Sequence, residues 1–251
     1  FSANINPLGS SQRGLSALEP QLRYISHYPD ATNDDILNAI ADIYGMNKNQ
    51  IVVGNGAAEL LYAICRLPGY TGAFVPAPGF SEYKAALEAS RIPVRDIYYR
   101  PREDEHGKPY FEVPYLALET FAAELKGQDG RIIVFLGNPN NPDGTLLDKN
   151  HIRTIASMLK DANSLLVIDE SFIDFVGNDT LQDNEYSMRS LVNEFDNIIV
   201  VHSFTKFYAV PGLRIGAAFS NPLIIEQLNS FIPTWSVNTL AQSYTEAALN
   251  D

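Results

Sequence analysis

Cysteine is nearly absent: Cys65 is the one example in 251 residues. No internal disulfide framework can form, and the apolar helical pattern around Cys65 reads it as a small buried hydrophobe in a reducing, cytoplasmic setting. The four histidines, His27, His106, His151 and His202, lack metal-ligand spacing, so no metal site is expected. Basic residues are scarce, 18 against 30 acidic ones for a formal net charge of −12. Such a surface repels phosphate backbones and anionic membranes, which argues against nucleic acid or membrane as partner. No apolar run approaches the roughly 20 residues of a membrane helix, and nothing at the start reads as a signal peptide. The Gly-x-x-x-x-Gly-Lys-Ser/Thr loop of ATPases is missing, as is the Gly-x-Gly-x-x-Gly turn of dinucleotide sites. Internal repeats and long Gly/Ser linkers are missing too. An opening at Phe1 without methionine and an end inside a helix at Asp251 read as a chain trimmed at both ends.

What is present is an alternation of short apolar strands with amphipathic helices. Strands are expected at 51–53, 73–75, 92–99, 131–136, 164–168, 198–201 and 215–219, and several read as continuous β-branched runs buried on both faces. Helices are expected at 34–44, capped by Asp30 or Thr32, and from Gly56, up to Ser90, at 148–159, 222–230 and 239–249. Residues 100–109 read as a charged, solvated loop, and residues 1–9 as irregular. The pattern predicts an α/β fold, a mostly parallel sheet sandwiched between helices, with an N-terminal arm at 1–30 and one large domain at 31–251.

In open α/β sheets ligands bind outside the carboxyl ends of the strands, so the residues just past each apolar run are the candidates. Lys206 follows the 198–201 strand, flanked by hydroxyls and followed by Arg214 in a segment too apolar for a solvated loop. Held out of water beside a second cation, such a lysine is a candidate nucleophilic amine. Gly54-Asn55-Gly56-Ala57-Ala58-Glu59 opens a helix on small residues, which suits either an anion site at free backbone N–H groups or tight packing. Phe80 lies past the next strand, as core or as a ring-stacking platform. Asn141 sits in a double Asn-Pro turn that can aim an amide into a site. Asp169 ends the 164–168 run and must be paired or wetted. It is a helix cap, a magnesium ligand or a partner for a cofactor cation.

Five stretches in order carry a resemblance: Tyr28-Pro29, Gly56-Ala57-Ala58, Asn141-Pro142-x-Gly144, Asp169-Glu170 and Ser203-x-x-Lys206 with Arg214. Together they resemble the pyridoxal phosphate (PLP)-dependent aminotransferase superfamily, class I/II, of fold type I. That resemblance implies the large domain of such an enzyme, with the small C-terminal domain absent or truncated, and pyridoxal 5'-phosphate as cofactor. It implies that Lys206 holds PLP as a Schiff base and later shuttles protons, and that Asp169 pairs with the pyridinium nitrogen. Asn141 would bond the ring's phenolic oxygen and Phe80 would stack on the ring. Gly56, Ala57, Ala58, Ser203 and Arg214 would hold the phosphate, and Tyr28 would reach it across a homodimer interface. Asn4 and Asn6 on the opening arm, with Asn141, would shape the substrate site. The family usually has tyrosine three residues after the aspartate; Phe172 stands there, costing one hydrogen bond worth about 1 kcal/mol.

The opening Phe-Ser-Ala-Asn-Ile-Asn-Pro-Leu-Gly, the segment from Thr205 to Arg214, and Thr234-Trp235-Ser236-Val237-Asn238 are similar to the threonine-phosphate decarboxylase branch of cobalamin biosynthesis. The histidinol-phosphate aminotransferase branch is the alternative. Either implies a small phosphorylated amino acid or amine as substrate. A PLP-binding sensor module without catalysis would carry a basic DNA-binding segment, and none is visible.

Overall fold

Alternate residues of the central strands enter two different cores, and this period of two sets the architecture. In the computed structural model, which describes residues 4–125, 130–177 and 184–251, the chain runs α1 (Gln12–Gln21), α2 (Asp34–Tyr44), β1 (Ile51–Gly54), α3 (Gly56–Ile64), β2 (Tyr70–Ala77), α4 (Ser81–Ala89) and β3 (Val94–Tyr98). It continues through β4 (Arg100–Glu103), β5 (Pro109–Glu112), α5 (Tyr115–Glu124), β6 (Arg131–Gly137), α6 (Lys149–Asp161) and β7 (Leu165–Asp169). Last come β8 (Ile198–Ser203), α7 (Phe204–Phe207), β9 (Gly216–Phe219), α8 (Pro222–Asn229) and α9 (Thr239–Ala248).

The main sheet has the order β1-β9-β8-β7-β6-β2-β3. From β8 to β3 every pairing is parallel, whereas β9 runs antiparallel to both β1 and β8. Val52, Val75, Phe135, Val167 and Val201 pack on one face against Leu60, Leu61, Tyr83 and Ile225 from α3, α4 and α8. Val53, Val134, Leu166, Ile168 and Val200 pack on the other face against Ile36, Ile152, Leu159 and Tyr244 from α2, α6 and α9. Both faces are therefore dry, as the unbroken apolar strands require.

Local chemistry sets the element ends. Asp148 caps α6 by accepting from Asn150 N–H at 2.9 Å and His151 N–H at 3.1 Å. Asp30 accepts from Asp34 N–H at 3.1 Å at the start of α2, in keeping with its expected role. At the carboxyl edge the register aligns Gly54 with Gly216, Gly216 with Ser203, and Gly137 with Asp169. Because β9 runs backwards, its first residue and the preceding Arg214 reach the same edge as the ends of β1, β7 and β8.

Three parts differ from expectation. Residues 100–109 are not simply a loop, since β4 and β5 form an antiparallel hairpin. Asp104 Oδ1 accepts from the N–H groups of His106 and Lys108, each at 2.9 Å, and Gly107 turns the chain at φ 74°. The hairpin is largely exposed, so no apolar alternation marked its strands. The arm contains α1, which docks on α9; Gly14 lets the ring of Tyr244 pass where a Cβ would lie 2.6 Å from it. Helix α5 was not anticipated, because apolar residues occur all round it. Phe1, Ser2 and Ala3 of the opening motif lie outside the described residues.

Candidate active site

A cavity of about 360 Å³ opens at the carboxyl edge of the sheet, lined by Asn4, Phe80, Tyr83, Asn141, Asp169, Phe172 and Lys206 among others. Lys206 enters it from α7, a single turn that continues directly from the wholly buried strand β8. Asp169 enters from the last position of β7 and is 6% exposed. Its Oδ2 accepts from Tyr83 O–H at 2.9 Å, and its Oδ1 from Ser171 N–H at 2.9 Å and Ser171 Oγ at 2.6 Å. These donors offset the desolvation of a strand-end carboxylate. Burial, with the Asp169 charge beside it, pushes the Tyr83 phenol well above its ordinary range, so it remains a donor.

The neighbouring Glu170 points away from the cavity, as strand alternation dictates. Its carboxylate accepts from Asn138 Nδ2 at 3.1 Å, Ser187 Oγ at 2.6 Å and Met188 N–H at 2.6 Å. Asn138 is buried; besides this bond it donates to Tyr186 O at 2.8 Å and accepts from Leu147 N–H at 3.0 Å. Asn140 Nδ2 donates to Pro78 O at 3.0 Å, tying the Asn-Pro turn to the segment that carries Phe80. The amides flanking Asn141 thus hold its loop while Asn141 itself lines the cavity.

Beside the cavity, α3 starts without a side-chain cap from Asn55. Gly56 adopts φ 78°, and a Cβ there would lie 2.3 Å from Arg214 Nη2, so the guanidinium lies against the opening turn of α3. A Cβ on Gly216 would lie 2.6 Å from Ala57 N, and Ser203 pairs with Gly216 in the sheet. Backbone donors at Gly56, Ala57 and Ala58, the positive helix end and Arg214 form a cradle of a kind that can hold an anion. Glu59 braces it by accepting from Asn55 N–H at 2.6 Å and from the hydroxyl of Ser236.

Of the residues singled out in sequence, Lys206, Asp169, Phe80, Asn141 and Asn4 line one cavity, and Gly56, Ala57, Ala58, Ser203 and Arg214 gather at the adjoining helix start. Tyr28 does not line this cavity; it is 78% exposed and stacks on Trp235 with ring centres 4.3 Å apart. Asn6 also lies outside the lining, its Nδ2 donating to Phe207 O at 2.9 Å and its Oδ1 accepting from Leu8 N–H at 3.0 Å. Tyr83, Ser171 and Glu59 had not been singled out. Tyr83 lies one helical turn after Phe80 and Ser171 two residues after Asp169, spacings that carry meaning once those two are placed.

A family model described as "Aminotransferase class I and II" matches residues 1–251. The "Adenosylcobalamin biosynthesis bifunctional protein CobDQ" of Leptospira interrogans is 35% identical over 252 residues, covering 100% of this chain and 27% of that protein. The "Threonine-phosphate decarboxylase" of Salmonella typhimurium is 33% identical over 257 residues, covering 100% of this chain and 64% of that protein. The chain thus spans less than two thirds of these curated relatives. The crystal structure of the histidinol-phosphate aminotransferase from Clostridium acetobutylicum superposes with a TM-score of 0.83 at 24% identity, covering 100% of this chain and 69% of that one.

Proposed function

Since the chain belongs to the aminotransferase class I and II family, we propose that it is the PLP-binding large domain of an enzyme that decarboxylates L-threonine O-3-phosphate. The mostly parallel sheet between two helical layers is the fold-type-I architecture of that family. The observation that carries the reading is that Lys206 and Asp169 line one cavity while Arg214 lies on the glycine that opens α3.

The residues present fit pyridoxal 5'-phosphate. An amine, a buried carboxylate already supplied with donors, an aromatic ring and an anion cradle are the partners its aldehyde, ring nitrogen, ring face and phosphate require. Asp169 would hold the proton on the ring nitrogen, Phe80 would cover the ring, and Asn141 would donate to the ring oxygen. Gly56, Ala57 and Ala58 N–H groups with Ser203 and Arg214 would bind the phosphate. Bound there, the cofactor supplies an electron sink for a bond broken at the substrate's α-carbon.

The protein's own part is orientation and proton movement. In decarboxylation the Lys206 ammonium would return a proton to the α-carbon from which carbon dioxide has left. In transamination the Lys206 amine would instead take the proton from that carbon. Asn4 on the arm reaches the cavity and would take part in that choice. Transamination of histidinol phosphate is the alternative reading, since the same residues serve both outcomes. A homodimer in which Tyr28 reaches the neighbouring cradle belongs to either reading.

The test is a partition assay: PLP-loaded protein is given O-phosphothreonine, and carbon dioxide is measured against pyridoxamine phosphate. Carbon dioxide with little pyridoxamine phosphate is expected, together with loss of the protein's visible PLP band in Lys206→Ala. Accumulating pyridoxamine phosphate, or turnover confined to histidinol phosphate with 2-oxoglutarate, would replace decarboxylation with transamination.

A further inference from the structure

The turn that carries Lys206 is held at its far end by the N-terminal arm. Helix α7 is one turn long; Thr205 O and Lys206 O accept locally from Val210 N–H at 3.1 Å and Ala209 N–H at 3.3 Å, while carbonyls past so short a helix are ordinarily left to water. Here consecutive carbonyls find donors from distant parts of the chain. Asn6 N–H donates to Lys206 O at 3.1 Å and Asn6 Nδ2 to Phe207 O at 2.9 Å. Tyr244 O–H donates to Tyr208 O at 2.9 Å, and Ser10 Oγ to Ala209 O at 3.0 Å. The Tyr244 oxygen in turn accepts from Ser11 N–H at 2.9 Å, so the tyrosine is a relay from the arm. Asn4, two residues before Asn6, lines the cavity that Lys206 enters.

We infer that residues 4–11 and Tyr244 form a strap that positions the Lys206 amine, and that filling the cavity and docking the arm stabilise each other. The strand side of the turn is rigid, because β8 is buried throughout. The orientation of α7 is then decided at its carbonyl end, where the strap binds. Anything in the cavity that touches both Asn4 and Lys206 favours the docked arm, and by linkage a docked arm favours that ligand to the same degree. Asn6, Ser10 and Tyr244 are positioning residues. The coupling to a ligand rests on the reading that Lys206 binds PLP; the strap itself does not.

Two mild variants separate the arms of the test. Ser10→Ala removes the donor to Ala209 O, and Tyr244→Phe keeps the ring against Gly14 while deleting the relay oxygen. The cofactor-free readout is the pH-rate profile of reductive methylation at Lys206 by formaldehyde and cyanoborohydride, mapped by mass spectrometry with the exposed Lys108 as internal reference. Each variant should raise the Lys206 rate as the turn loosens, by at most about the fivefold that one lost hydrogen bond allows, with Lys108 unchanged. The cofactor readout is hydrogen exchange of the arm amides, which saturating PLP should slow in the wild type and slow less in both variants. An unchanged Lys206 profile in both variants, with only a lower melting temperature, would overturn the strap. Unchanged arm exchange on PLP binding would overturn the coupling. A wild type that binds no PLP would sink the proposed function, while the methylation profiles would still decide the strap.

Discussion

Asp169 and Glu170 are adjacent carboxylates with different fates, because successive residues of a strand face opposite ways. Asp169 meets Tyr83 and the cavity; Glu170 meets Asn138, Ser187 and Met188 beneath it. A hydrogen bond to a charged group is worth about 1.5–3 kcal/mol, so Tyr83→Phe should weaken PLP binding by roughly tenfold or more. An absorbance titration checks this, and unchanged affinity would mean that the phenol merely fills space. A second buried group lies behind the lysine turn. Asp174 Oδ2 is 3.0 Å from His202 Nε2, with side chains 2% and 1% exposed, and it also accepts from Tyr44 O–H at 3.2 Å. Burial alone would raise the Asp174 carboxyl, but the charge and hydrogen bond of His202, with Arg189 and Tyr44, outweigh it and hold the group below its ordinary range. A depressed carboxylate contributes stability above its unfolded value near pH 4 and loses it as pH falls through the folded value. Asp174→Asn should therefore cost about 3–5 kcal/mol at neutral pH, and the gap to wild type in denaturant melts should narrow in acid. Cys65 is inert by the same logic, since burial pushes its thiol up to about 12.

At the scale of elements, the site depends on how closely α3 approaches β9. Gly216 has no Cβ because one would lie 2.6 Å from Ala57 N and 2.9 Å from His202 O, both backbone atoms that cannot turn aside. Gly216→Ala should cost about 1–3 kcal/mol of stability and weaken PLP binding as the cradle shifts. A melt paired with the same titration checks it; a stability loss with unaltered affinity would show that the cradle does not depend on this contact. Elements with one buried stripe or a fully apolar run were legible in sequence: α2 and α6 through their period, and β6, β7 and β8 through their β-branched residues. The hairpin β4–β5 and helix α5 were not, for the first is largely exposed and the second is apolar all round.

At the scale of the whole molecule, the arm leaves an exposed apolar surface: Leu8 at 92%, Ile25 at 67%, Leu22 at 53%, and Tyr28 at 78% stacked on Trp235. A homodimer would cover it and bring Tyr28 to a neighbouring cradle. Two copies that each carry −12 repel, and salt screens that repulsion. Sedimentation should therefore show a dimer that tightens with added salt and binds PLP more weakly on dilution towards monomers. A PLP-loaded monomer at all concentrations would remove this assembly.

The order of the main-sheet strands and most helices along the chain, and the placing of Lys206, Asp169, Phe80 and Asn141 at or just past strand ends, were decided by contiguous residues. Periodicity and turn chemistry are local signals that a linear reading can follow. What only the tertiary structure decided are the contacts that join distant segments: Arg214 on Gly56, Tyr83 on Asp169, and Asn6 on the lysine turn 201 positions away. It also gave Asn6, expected at the substrate, a place on the Phe207 carbonyl. Such pairs have no local signature, because either partner alone is an ordinary residue in an ordinary turn, and the hydrogen bond exists only once the sheet has brought the two ends of the chain together.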